Sequence, residues 1–341
     1  MYRFLLCSLI VLCFTACQKD EPITSAAKFG NGLFFVNEGQ FQNANASLSF
    51  YDAVNDTIFS KAYETINNQP IGDILQSIAF DDDNIYLVVN NSGKIIVADK
   101  KTLNFKGEIT GLPSPRYMEY SGNGHLWFVS NLLNDSLFVV NTANYTIESK
   151  EYLTTSVEAM KVVGNKLYLS SLSTDRLIIK DLNSGAVDSL NVGTGGNSLA
   201  VDNNNNLWLL CNGDFYTPGS AALYKLNTNN FDVNMHTLEP EIEIPVGYPT
   251  ALTYSSSENT LYFINNGIQA INLDAANNEP EIFIETTTQN FYGIDVIGES
   301  IYVSDAVDFT QNGFIYEYNT AGELLKTLSA GINPNAVVST P

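Results

Sequence analysis

Ser77-Ile78-Ala79-Phe80, Asp81-Asp82-Asp83-Asn84, Ile85-Tyr86-Leu87, Val97-Ala98-Asp99 and Phe105 to Ile109 follow one another in a single stretch of the chain. The first piece alternates in character, as a half-buried strand does. The second is a polar turn built of Asp and Asn, which tolerate positive φ and close a hairpin at little cost. The third is an apolar triplet with an aromatic centre. The fourth ends in Asp, whose side chain can form an Asx-turn into the next strand. The fifth is more polar, as expected of an outer edge. Four strand signals separated by short turns make one antiparallel unit.

That unit repeats. The triplet returns as Leu126-Trp127-Phe128, Leu167-Tyr168-Leu169, Leu207-Trp208-Leu209, Leu261-Tyr262-Phe263 and Ile301-Tyr302-Val303, with Gly32-Leu33-Phe34 as a degenerate first copy. Successive starts lie 53, 41, 41, 40, 54 and 40 residues apart. A period near 40 residues built of short β runs is the signature of a β-propeller, and two copies carry insertions. The first copy has no strand A before it. The segment Asn333 to Val338 matches the strand-A starts Pro115-Arg116-Tyr117-Met118 and Pro249-Thr250-Ala251-Leu252. The expected fold is therefore all-β: a seven-bladed propeller of four-stranded blades, closed by the C-terminal strand pairing into the first blade. An open solenoid would want capping repeats instead.

Outward from the repeats, the chain divides into residues 1–16, 17–30 and the propeller, 31–341. Arg3 and the apolar run Phe4 to Phe14 form a secretory leader too short to span a bilayer. Phe14-Thr15-Ala16-Cys17 resembles the lipobox of bacterial lipoproteins. That resemblance implies cleavage before Cys17 and acylation there, with several acyl chains giving firm anchoring. The cluster Gln18-Lys19-Asp20-Glu21-Pro22 resembles a surface-export signal of Gram-negative lipoproteins. The expected location is the outer membrane, cell-surface exposed, with the periplasmic face as fallback. Cys7 and Cys13 fall in the leader, so Cys211 alone remains in the body, no internal disulfide can form, and Cys211 reads as a buried apolar residue.

Of 341 residues, 45% are hydrophobic and only 16% charged, so a large core is available and the polar surface must be mostly uncharged. Asn alone accounts for 40 positions. The net charge is −21, which disfavours nucleic-acid partners and leaves membrane attachment to the lipid anchor alone.

In such a ring the A–B and C–D turns share one face, and the B–C and D–A connections share the other. The first set is short and uniform. The second varies widely, as in Asn37 to Ala46, Asn131 to Asp135, Cys211 to Ser220 and Ser304 to Gly313, and variable loops on a rigid scaffold are where function sits. Just past strand B, five blades place Asn in register: Asn37, Asn90, Asn131, Asn212 and Asn266. Blades four and seven have Leu172 and Ala306 there, preceded by Ser171 and Asp305. Each Asn also suits the turn that holds it. Phe41, Tyr117, Phe215, Tyr216, Tyr248, Phe291, Tyr292 and Phe309 gather nearby, with Arg116 a rare cation among them. Together they predict a broad, neutral plate with stacking and hydrogen-bonding groups. No metal-ligand cluster, nucleophile elbow or suitably placed His stands out: His125 and His236 fall toward the other face. Asp81 to Asn84 lacks an EF-hand pattern and reads as a solvated turn. The expectation is a protein without catalytic residues and without a resident cofactor.

Phe35-Val36-Asn37-Glu38-Gly39-Gln40-Phe41, followed by Asn45-Ala46-Ser47-Leu48-Ser49-Phe50-Tyr51-Asp52, resembles the first blade of YncE-like bacterial surface lipoprotein propellers. Within them it is similar to the cobalamin-capturing BtuG type, which sits over a TonB-dependent transporter. The resemblance implies capture of cobalamin or another corrinoid as transported ligand, with such a transporter as partner. Residues 18–30 could reach at most about 45 Å when extended, and they meet the propeller on the A–B side. Two other classes remain: a protein-binding scaffold or adhesion propeller, and a lactonase-type hydrolase. Carboxylates converging on the channel mouth would favour the last.

Overall fold

A computed structural model describes residues 29–214, 216, 219–230 and 235–341. Cys17, the leader, the tether through residue 28 and Phe215 lie outside the described residues. Seven four-stranded antiparallel sheets form the blades of a ring, and we letter the strands of each blade A to D from the axis outward. The A strands, blades one to seven, are Pro334–Ser339, Leu75–Phe80, Pro115–Asn123, Met160–Val163, Gly196–Val201, Thr250–Ser255 and Phe291–Ile297. The B strands are Leu33–Asn37, Asn84–Val89, Leu126–Asn131, Lys166–Ser170, Asn206–Cys211, Thr260–Ile264 and Ser300–Asp305. The ring closes as expected: Leu33 pairs with Ser339, Phe35 with Val337 and Asn37 with Pro334. A Gly32 N–H to Thr340 Oγ1 bond of 3.1 Å continues the seam past the sheet.

The core is divided among the seams. Among the described residues seven apolar clusters occur, and each joins one blade to the next. Strand B is sandwiched between two seams, so both of its faces are apolar and its residues alternate between neighbours. In blades two, four, five, six and seven the central triplet aromatic (Tyr86, Tyr168, Trp208, Tyr262, Tyr302) points to the following blade. Blades one and three are in the opposite phase: Leu33 and Trp127 point back to the preceding blade. The repeat in the sequence is therefore not a repeat in facing. Cys211 is fully buried in the seam of blades four and five, and burial pushes its thiol up to about 12.

One element was not foreseen. Strand D of blade one is only Thr57–Phe59, and a short α-helix, Ala62–Asn67, follows it. Six residues do not sustain a helix alone. Packing holds this one, because Ala62 and Tyr63 are buried in the first seam. Asn67 ties it to blade two, donating to the Leu103 carbonyl at 2.8 Å and accepting from the Phe105 N–H at 2.8 Å.

Candidate functional site

After each strand D the chain returns to the axis and begins strand A, so the first residues of strand A surround the channel mouth. With Glu158, two residues before strand A of blade four, they come from six blades: Asn335, Gln76, Arg116 with Tyr117, Glu158, Asn197 and Tyr292. Glu38, one residue past strand B of blade one, joins them. Tyr292 donates its hydroxyl to Glu38 Oε2 at 3.0 Å, and Asn335 Nδ2 donates to Glu38 Oε1 at 2.8 Å. The same Asn335 amide reaches the Gln76 carbonyl at 2.9 Å. Gln76 Oε1 in turn accepts from Arg116 Nη1. Arg116 also clamps Glu158, with Nε at 2.8 and 3.0 Å and Nη2 at 2.5 Å. The result is a hydrogen-bonded arc running from blade seven through one, two and three to four.

Burial sets its electrostatics. Glu38 is raised above the ordinary carboxylate range by desolvation, although Asn335, Tyr292 and Arg116 all favour its ionised form. Desolvation would lower Arg116, but the attraction of Glu158 outweighs it and the guanidinium stays charged. Tyr117 and Tyr292 are raised by desolvation and then by the nearby carboxylates, so both are neutral hydroxyls. Farther along strand A of blade seven, Asp295 accepts the Val337 N–H at 2.7 Å, and burial pushes it up to about 7. The floor thus carries one fixed ion pair, one reluctant carboxylate and two neutral hydroxyls.

The predicted residues separate into frame, floor and rim. Asn37 is fully buried: its amide donates to Ser47 O and Ser49 Oγ at 3.1 Å, and its oxygen accepts the Gly331 N–H at 2.8 Å. Asn131 is also fully buried and accepts the Ser114 N–H at 2.8 Å. Asn90 points the other way, to Ser114 Oγ and the Pro115 carbonyl at 2.9 and 3.0 Å. Asn212 is buried as well. Extended backbone alternates sides, so Asn residues in sequence register do not form one ring, and the buried ones present no surface to a ligand. Asn266 is exposed but far out, on a groove of about 610 Å³ between blades five and six.

Asp305 is buried and holds a loop. It accepts the Asn290 and Val307 N–H groups at 2.8 and 2.9 Å and the Tyr316 hydroxyl at 3.2 Å. Val307 has φ 55°, an outlier for a β-branched residue. This loop presents Phe309 edge-on to Tyr292 at 5.4 Å. Phe291 packs on Tyr316. Arg116, Tyr117 and Tyr292 belong to the floor.

Sequence reasoning missed Glu38, Gln76, Glu158 and Asn335. Their common signal is position, within two residues of the start of strand A or the end of strand B. Above the floor stands an apolar crown on the B–C and D–A loops: Phe41, Leu133, Leu172, Tyr216, Val246, Tyr248 and Phe309 are all exposed, Tyr216 to 89%. Among the described residues no group of His, Cys, Asp and Glu could hold a metal ion, and no helix is long and apolar enough to cross a membrane.

Residues 31–330 match the profile described as "Domain of unknown function (DUF5074)", and the chain belongs to that family. No curated protein matches it. Several solved structures share the fold. A quinonprotein alcohol dehydrogenase-like protein of Bacteroides thetaiotaomicron is 17% identical, with a TM-score of 0.73 over 93% of this chain and 80% of that one. The periplasmic gluconolactonase of Pseudomonas aeruginosa is 14% identical, with a TM-score of 0.60 over 90% and 99%. A functionally unknown protein of Desulfotomaculum acetoxidans is 11% identical, with a TM-score of 0.63 over 91% and 98%.

Proposed function

We propose that this member of the DUF5074 family is a capture protein that seats a large, mostly uncharged ligand across the B–C/D–A face. The observation that carries the proposal is the apolar crown around a hydrogen-bonding floor. A flat ligand fringed with amides would find neutral hydroxyls and carboxamides below it and stacking surfaces at its edge. A corrinoid has that chemistry, and it is the ligand implied by the resemblance of Phe35 to Asp52 to surface lipoprotein propellers. A TonB-dependent transporter would then be the recipient. The described chain begins on the opposite face, where the Phe29 N–H donates to the Lys101 carbonyl at 2.7 Å. A tether lipidated at Cys17 would therefore leave the crown turned away from its anchor.

The test is calorimetric titration of cyanocobalamin, with cobinamide as comparison, into protein starting at Gln18. One-to-one binding that weakens in Tyr216→Ala and Tyr292→Phe supports the proposal. No heat and no co-eluting colour at micromolar protein discards the corrinoid. Disappearance of the acylated form in Cys17→Ser, followed by labelled palmitate, tests the anchor.

A second reading is favoured by Glu38 and Glu158, two carboxylates gathered at the channel mouth beside Arg116. Glu38, raised by desolvation, is the carboxyl that would serve as general acid. Lactone hydrolysis abolished by Glu38→Gln would move the protein to the hydrolases. An inactive protein across a lactone panel discards this reading.

A further inference from the structure

On the face that carries the A–B and C–D turns, blades two and three part to leave a cleft of about 600 Å³. It lies at the seam where blade three is inverted in phase. Tyr86 of blade two and Trp127 of blade three both point into this seam, their ring centres 5.6 Å apart at 49°. A third ring comes from the blade-three hairpin, whose strand A runs on to Asn123 with a break in register between Tyr120 and Asn123. Gly122 and Gly124 have φ 77° and 56°, which lets the hairpin project. Tyr120 then stands 5.4 Å from Trp127 and remains exposed. A fourth ring, Tyr145, lies flat on Gly107, where a Cβ would come within 2.4 Å of it.

The rim is acidic, and its three aspartates differ. Asp81 is committed to the turn: it accepts the Asp83 and Asn84 N–H groups at 2.9 and 2.6 Å and the Tyr86 hydroxyl. Asp82 and Asp83 are exposed, and among the described residues their carboxylates make no hydrogen bond or ion pair. The two nearby lysines bond other atoms of the turn and not these carboxylates. Lys100 and Lys106 reach the carbonyls of Asp81 and Asp83, each at 3.2 Å, and Lys106 pairs with Asp99 at 3.3 Å.

We propose that this cleft binds a soluble organic cation, an ammonium on an apolar body, with the charge held between Asp82 and Asp83 on one side and the rings of Tyr120, Trp127 and Tyr145 on the other. Aromatic faces attract cations electrostatically, and desolvation strengthens the effect. The net charge of −21 adds a long-range attraction for cations and repels anions. The cleft is on the other side of the ring from the crown, so this inference stands or falls separately from the capture reading.

Tryptophan fluorescence reads the cleft directly. The chain has 2 Trp, and Trp208 is fully buried, so a ligand-dependent change reports Trp127. Choline should give a saturable change, while its uncharged isostere 3,3-dimethylbutan-1-ol should not. The response should weaken about tenfold in Tyr120→Ala, the size of one good cation–π contact. It should weaken again in Asp82→Asn/Asp83→Asn and at high salt. These side chains are exposed, and an unchanged far-UV spectrum verifies folding. No saturable response to choline up to about 50 mM, where even a binding energy of roughly 2 kcal/mol would be visible, overturns the proposal. So does an equal response to the alcohol.

Discussion

Arg116 on blade three holds both carboxylate oxygens of Glu158 on blade four, at 2.5 to 3.0 Å. The pair is largely shielded: the side chain of Arg116 is 18% exposed and that of Glu158 5%. A shielded pair contributes little net stability, yet its halves are costly to separate. Glu158→Leu should therefore destabilise the fold by ~3 kcal/mol, because it leaves the guanidinium without its counter-charge. Arg116→Met/Glu158→Met should cost far less than either single change. Urea midpoints at unchanged slope measure both, and a double variant as unstable as the singles would contradict this account.

Stability should fall as pH rises from acid to neutral. Asp295 and Glu64 are each pushed up to about 7 by burial. A carboxyl raised in the folded state binds its proton more tightly there than in the unfolded chain. Its contribution is fully present below pH ~4 and is lost through pH ~7. Asp295→Asn should flatten that slope by ~2 kcal/mol, less than the full shift implies because Asp295 retains some solvent contact. Denaturation at pH 5 and pH 8 provides the comparison, and identical slopes in variant and parent would refute it.

Gly293→Ala should be severe despite its small size. The added Cβ would lie 2.0 Å from the carbonyl oxygen of Asn335, a backbone atom of the closing strand. Overpacking against a backbone costs ~3 kcal/mol. Gly298→Ala is the control: nothing lies within 4 Å of its Cβ, and only the strain of φ 62° applies, ~1 kcal/mol. Thermal melts should rank the two in that order.

Removing residues 333–341 deletes strand A of blade one and uncovers the edge of Leu33–Asn37. The truncated chain should aggregate through that edge. A synthetic peptide of residues 331–341, added during refolding, should restore soluble protein. Soluble, native-like truncated protein without peptide would show that the seam is dispensable.

The ring was legible because spacing survives where detail does not. Triplets near a 40-residue period and the strand-A likeness of Asn333 to Val338 gave the blade number and the closure. Facing was not legible. Leu126-Trp127-Phe128-Val129 is apolar at every position, so alternation carries no phase, and only the seams reveal that Trp127 points backward. The same ambiguity misled the reading of Asn37 and Asn131, which are buried struts. The floor was half legible. Arg116, Tyr117 and Tyr292 stand out in the sequence as a rare cation and aromatics near the variable loops, whereas Gln76, Glu158 and Asn335 are ordinary residues given meaning only by the axis that gathers them. The helix Ala62–Asn67 is too short and too dependent on packing to announce itself.

The seam between Leu33–Asn37 and Pro334–Ser339 also sets a clock. Its partners lie almost a full chain length apart, so the last sheet to be completed contains some of the first strands to be made. During synthesis those early strands must wait, unpaired on one side, until Pro334–Ser339 has been made. Contacts this distant in sequence form slowly, and the waiting chain exposes a sticky edge. Yield of folded protein should thus depend on whatever shields the early strands during synthesis, a demand set by topology rather than by the strength of any bond in the finished ring.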